Sequence, residues 1–147
     1  MLEARKANVV ISKSLAYMPP VFANPIEIEQ VFLNLTLNAI HHMRGTRRGK
    51  GLVEVEGCVT PDGNRAQFRF RDTGPGIHSR YLDTAIWGEE RIFQPLFTTK
   101  RAGTGMGLYI TRGLLASYGG TVKVEKTAIL AGTTFLVELP LKGGTLS

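Results

Sequence analysis

The sequence predicts an α/β domain, a two-layer α/β sandwich in which a mixed sheet is covered on one face by helices. Three observations carry that expectation. Segments of period-2 apolar alternation stand in the middle and at the end of the chain, two longer segments repeat apolar residues at helical spacing, and most strands meet through short turn signals. Strands with one apolar face need a cover on that face only, and the two helices supply it.

The elements follow in order. "VVIS" at 9–12 and "PVFA" at 20–23 are short apolar segments that read as strands. In "NPIE", Asn24 is an N-cap, Pro25 takes the first helical position, and Glu27 is placed to complete a capping box. The helix runs to about Met43, with Ile28, Val31, Phe32, Leu35 and Ala39 as its core stripe. Asn34 and Asn38, one turn apart, share another face of it. Val53, Val55 and Val59 mark a strand over 52–59, and "TPDGN" at 60–64 is a hairpin turn. The return strand carries Ala66, Phe68, Phe70 and Asp72 at one parity, so Asp72 is expected to point into the core. A buried carboxylate is costly, and something must hydrogen-bond it.

Residues 73–104 show no long periodic segment beyond a turn of helix around Tyr81 to Ile86, and a connection of that length is usually a functional lid or a disordered stretch. A second helix begins near Gly107, with Leu108, Thr111, Leu114, Leu115 and Tyr118 on one side, and stops at Gly119 and Gly120. Two strands close the domain, one with Val122 and Val124, the other with Phe135, Val137 and Leu139. Thr133 shares the parity of the latter and is expected to face inward. The tail "KGGTLS" is expected to fray.

The 147 residues fit one domain, and the 43% hydrophobic and 20% charged fractions are those of an ordinary globular protein. Cys58 is the only cysteine, so no internal disulfide can form, which suits a reducing cytoplasm. No apolar run approaches the roughly 18 to 20 residues of a membrane span. The net charge of +6 favours anionic partners without choosing among them. Nucleic acid is disfavoured, because neither an aromatic stacking platform nor a recognition-helix pattern accompanies the charge.

Three groups of residues could carry chemistry. Gly103, Gly105 and Gly107 in "GTGMGL" open a helix whose first N–H groups lack internal partners, an arrangement suited to an anion. The spacing matches neither the dinucleotide fingerprint nor a P-loop, and a plain turn before a packed helix is equally compatible with it. In "RDTGPGI", Asp72 lies beside Gly74 and Gly76, where backbone can approach a flat ligand and the carboxylate could accept from an exocyclic amine; a turn aspartate is the alternative. The Asn34 and Asn38 side chains offer neutral oxygens that suit Mg²⁺ shared with substrate phosphates.

Taken in order, "EQVFLNLTLNAIHH", "RDTGPGI", "IFQPLFTTK", "GTGMGLYITRGLLASYGGTVKVE" and "GTTFLVELP" resemble the N box, first glycine box, F box, second glycine box and terminal strands of the catalytic ATP-binding domain of bacterial sensor histidine kinases. This is the Bergerat fold of the GHKL superfamily, and the resemblance spans roughly residues 20–140, closest in wording to nitrogen-regulation-type kinases. It implies ATP and Mg²⁺ as cofactors. Asn38 matches the metal asparagine and Asn34 the first N-box asparagine beside the phosphates. Asp72 matches the reader of the adenine amine, helped by Gly74, Gly76 and Ile77, and Thr133 matches its supporting threonine. Phe93, Phe97 and Lys100 match the F box and its lysine, and Gly103, Thr104, Gly105, Met106, Gly107 and Leu108 match the phosphate-facing second glycine box.

Several positions depart from the family. His41 stands where a phosphate-contacting lysine is common, with Arg44 near enough to substitute, and Asn24 replaces a frequent aspartate. The lid, expected over 78–104, holds an unusually long "HSRYLDTAIWGEERI", in which Trp87 is expected to pack against lid or partner. Gyrase-type, chaperone and mismatch-repair ATPases of the same superfamily carry a water-activating glutamate four residues before the metal asparagine. Here that residue is Asn34.

The resemblance therefore implies a kinase domain, with Asn34 and Lys100 in catalytic roles, that passes the γ-phosphoryl to a histidine on a separate dimerisation domain. Residues 1–20 would be the strand and linker leading from that domain, and the downstream partner would be a response regulator. None of His41, His42 and His78 fits the acceptor motif. The isolated domain is expected to be monomeric and cytoplasmic, whether or not its parent is anchored in a membrane. A non-catalytic nucleotide-binding module and a serine-kinase anti-sigma factor are the alternatives.

Overall fold

The computed structural model describes residues 2–17, 19–43, 51–83, 91–95 and 107–141. It contains helices α1 (Leu2–Ala7), α2 (Pro25–Met43) and α3 (Gly107–Ala116), and strands β1 (Val9–Leu15), β2 (Gly51–Val59), β3 (Arg65–Asp72), β4 (Thr121–Ala128) and β5 (Gly132–Pro140). Short 3-10 turns occupy Ser79–Leu82 and Arg91–Phe93. The five strands form one sheet in the order β1-β2-β3-β5-β4. β1 and β2 are parallel and the other neighbours antiparallel, so the sheet is mixed as expected.

Alternation decides the faces. Val53 and Val55 of β2, Ala66, Phe68 and Phe70 of β3, and Phe135, Val137 and Leu139 of β5 are buried in one core with Val31, Leu35, Ala39 and Ile40 of α2 and Leu115 of α3. Phe32 binds the two layers together. Its ring meets Phe68 at 4.9 Å and Phe70 at 5.0 Å, both edge to face, contacts worth about 0.5–1.5 kcal/mol each beyond area burial. On the other face, residues of opposite parity form ion pairs. Arg69 donates to both carboxylate oxygens of Glu125 at 2.8 and 3.1 Å, Arg71 pairs with Glu54, and Arg65 lies 3.7 Å from Glu138. The hydrogen bond from Arg69 holds the Glu125 carboxyl below its usual range.

Local chemistry fixes the ends of α2. The Asn24 side chain accepts the Ile26 N–H at 2.9 Å, which is the expected cap. Glu27 does not close a capping box; its carboxylate accepts the Tyr118 hydroxyl from beyond α3, a tertiary bond in place of the local one. α3 ends through a Gly119 at φ +71° and a bond from Gly120 N–H to Leu115 O at 2.8 Å.

Two further expectations need correction. "PVFA" is not a strand: only Val21 bridges, to Leu141, because Pro19 and Pro20 supply no N–H for a ladder and a proline-led helix begins at Pro25. Residues 2–7, unassigned by periodicity, form α1, which buries Ala4 and ends at Asn8 in the left-handed region at φ 56°. The helical turn expected around Tyr81 to Ile86 is met only at its start, by the 3-10 turn Ser79–Leu82, and residues 84–86 lie outside the described residues. No helix among the described residues is long and apolar enough to cross a membrane.

Candidate functional site

The site begins at the sheet's centre. Asp72 ends β3 and stands in register between Val53 of β2 and Thr133 of β5. Both polar residues fall on the helix-covered face, and only 7% of Asp72 and 5% of Thr133 is exposed. The Asp72 carboxylate accepts the Gly74 N–H at 2.9 Å and the Thr133 backbone N–H. Burial pushes its pKa above the ordinary carboxylate value, and the two N–H groups work against that rise by favouring the charged form.

The loop that follows is held by backbone geometry. Gly76 has φ +80°, and a Cβ there would lie 2.2 Å from the Ala128 carbonyl oxygen. Gly132, at φ +85°, would place a Cβ 2.0 Å from the Asp72 carbonyl oxygen. Only glycine fits at either position. The β4–β5 turn therefore lies against the 74–77 loop, and Leu130 N–H donates to Pro75 O at 2.8 Å. Ile77 N–H donates to Thr127 Oγ1 at 2.9 Å, and that hydroxyl lies 2.9 Å from Thr133 Oγ1.

The second wall is α2. Asn34 accepts from Gln30 Nε2 at 2.6 Å and donates to Thr111 Oγ1 at 3.4 Å, which ties α2 to the fully buried Thr111 of α3. Asn38 and His41 follow at one and two turns, both half-buried. Gly107 is the exposed first residue of α3, and Leu108 packs partly against the core. Phe93 is almost fully buried, against Phe135 at 6.4 Å and beneath the Arg112 guanidinium at 5.4 Å. The structure thus places Asn34, Asn38, His41, Asp72, Gly74, Gly76, Ile77, Gly107, Leu108 and Thr133 on α2, the end of β3 and its loop, the start of α3, and β5. Lys100, Gly103, Thr104, Gly105 and Met106, with Arg44, Trp87 and Phe97, lie outside the described residues.

Three contributors escaped the sequence reading. Thr127 stands on an edge strand whose register slips between Val124 and Lys126, so its parity could not be counted from Val122. Gly132 had a signal in its position before Thr133 at a turn. Gln30 had one too, four residues before Asn34 on the helix. An open depression of about 340 Å³ is lined by the paired Glu54, Arg69, Arg71 and Glu125 and reaches Ala128, Gly132 and Thr133 at the β4–β5 turn.

Residues 23–143 match the family described as histidine kinase-, DNA gyrase B-, and HSP90-like ATPase. The chain is 32% identical over 140 residues to the sensor protein TdiS of Thauera aromatica, covering 95% of this chain and 24% of that protein. It is 38% identical over 119 residues to the sensor histidine kinase ZraS of Salmonella typhi, covering 81% and 23%. Among solved structures, full-length ShkA in complex with AMPPNP matches at a TM-score of 0.77 and 25% identity, covering 98% of this chain and 28% of that one. The chain thus spans about a quarter of the length of the curated relatives named.

Proposed function

Because the chain belongs to the histidine kinase-, DNA gyrase B- and HSP90-like ATPases and is a catalytic domain of the bacterial sensor histidine kinase type, we propose that it binds Mg·ATP and passes the γ-phosphoryl to a histidine on a separate dimerisation domain. The observation that carries this reading is Asn34. Four residues before Asn38, its amide is engaged by Gln30 and Thr111. An amide cannot take a proton from water, so the site offers no base there for hydrolysis.

The described groups suit the nucleotide. Asp72 and Thr133, buried beside a loop whose glycines exclude side chains, present oxygen to the purine's exocyclic amine. The Asn38 side-chain oxygen is the neutral, hard donor that Mg²⁺ accepts when phosphates and waters fill its other positions. Bound there, Mg²⁺ neutralises polyphosphate charge. Asn34 positions the phosphates, Lys100 and the 103–108 segment complete the phosphate side, and residues 78–104 act as the lid. The chain contributes positioning and electrostatic stabilisation, which is what phosphoryl transfer asks of a protein. The incoming imidazole belongs to another domain, whose product serves a response regulator.

Nucleotide titration tests the binding half. ATP should bind in the presence of Mg²⁺, Asp72→Asn should weaken it, and Asn38→Asp should change its metal dependence. A folded chain that binds no nucleotide overturns the proposal, and parent-like behaviour of both variants overturns the site.

A further inference from the structure

Thr127 stands behind the adenine side of the site, and its hydrogen bonds impose a direction on its neighbour. Its oxygen accepts the Ile77 N–H at 2.9 Å, lies 3.3 Å from the Gly132 carbonyl oxygen as a donor, and lies 2.9 Å from Thr133 Oγ1. A threonine hydroxyl has one proton and two lone pairs. Ile77 N–H occupies one lone pair, and the Gly132 carbonyl can only accept, so all three contacts are made together only when that carbonyl takes the proton. The remaining lone pair can meet Thr133 only if Thr133 is the donor. In that arrangement all three contacts are made, and the Thr133 proton is committed.

The consequence falls on the ligand. With its proton turned toward Thr127, Thr133 offers lone pairs alone toward the pocket. Asp72, whose carboxyl oxygen accepts the Gly74 N–H, likewise presents acceptor oxygen. Two adjacent acceptors match the amine of adenine and oppose the carbonyl oxygen that guanine and hypoxanthine carry at the same ring position. We propose that Thr127 is a specificity-determining positioning residue: it fixes Thr133 as a hydrogen-bond acceptor and so excludes 6-oxopurine nucleotides. The inference rests on the adenine lying beside Asp72, as in the proposed function.

The test compares ATP with ITP, which differ at that amine, by equilibrium binding to the 147-residue chain. Thr127→Val keeps the shape and removes the hydroxyl, and it should lower the ATP-over-ITP preference about tenfold, the size of one hydrogen bond lost or reversed. Thr127→Ser, which restores the hydroxyl, should return the preference to that of the parent. A residue that served stability alone would move both affinities together and leave their ratio unchanged. Should the valine variant fail to fold, Thr127→Ala gives the same comparison, and the serine variant gives it independently, since the proposal requires the parent's ratio from it. A parent chain that does not prefer ATP overturns the adenine reading itself. A parent that prefers ATP together with hydroxyl-free variants that prefer it equally, or a serine variant that loses the preference, overturns the role of Thr127 alone.

Discussion

At the scale of single residues, Asp72 shows how a charge is kept in a core. Two backbone N–H groups favour the carboxylate while burial opposes it, and burial prevails, raising its pKa above 3.8. The sign of the stability effect follows. A carboxyl whose folded pKa is raised contributes stability that is fully present below the unfolded value and is lost as pH rises through the folded one. Asp72→Asn lacks this dependence, so the variant's stability relative to the parent should increase as pH rises from below 3.8 through the acid range, measured by urea denaturation at a series of pH values. A constant difference would contradict the account. ATP affinity of the parent should fall on acidification, because a protonated Asp72 has given up acceptor capacity. Leu130 presents the opposite situation. It is 84% exposed and held at φ 63°, where a side chain costs about 1–2 kcal/mol. Leu130→Gly should stabilise the chain by about 0.5–1 kcal/mol after the greater unfolded-state freedom of glycine is subtracted, read as a shift in denaturation midpoint.

The residues that could be read from the sequence are those whose signals are local. Parity placed Asp72 and Thr133 inward, and both are buried and in register. Helical spacing put Asn34 and Asn38 on one face of α2. Thr127 was illegible because a bulge resets its parity, and the Glu27–Tyr118 bond because its partners are 91 residues apart. Naming the ligand depended on the resemblance, since Asp72, the asparagines and the glycines each had an ordinary structural alternative.

At the scale of elements, the glycines separate conformational strain from steric conflict. Gly63, in the β2–β3 turn, has φ +76° and nothing within 4 Å of an added Cβ. Gly76 and Gly132 have similar φ but an oxygen at 2.2 and 2.0 Å. Gly63→Ala should therefore cost only the conformational strain, about 1 kcal/mol, while Gly76→Ala and Gly132→Ala should cost at least about 2–3 kcal/mol and weaken nucleotide binding as well. Equal losses at all three in denaturation experiments would show that the β4–β5 turn does not hold the 74–77 loop. The N-terminus of α2 has one side-chain cap, and Asn24→Ala should cost about 1 kcal/mol. α1 went unread because six residues leave too little periodicity to count, and α1 is held by the burial of Ala4 rather than by helix propensity.

At the scale of the whole molecule, the two faces of the sheet divide the work. One face builds the core, with α2 and α3 over it, and ends at Asp72 and Thr133; the other carries paired charges in water. Those partly exposed pairs add little stability, and salt should change the denaturation midpoint only slightly. The fold class and the sheet's one-sided cover were legible because alternation and turn chemistry are local, and a mixed sheet was expected because helices interrupt the hairpin-connected strands. The parallel docking of β1 was not, since its partner lies beyond α2 in the chain.

ATP labelled at its γ-phosphorus distinguishes transfer of the γ-phosphoryl to an imidazole from its loss to water. Incubated with Mg²⁺ and this chain, the label should remain on the nucleotide; with a histidine-bearing dimerisation domain added, it should appear on that domain as an acid-labile phosphoryl group. Steady release of labelled phosphate by the chain alone, with none transferred to the added histidine, would contradict the account.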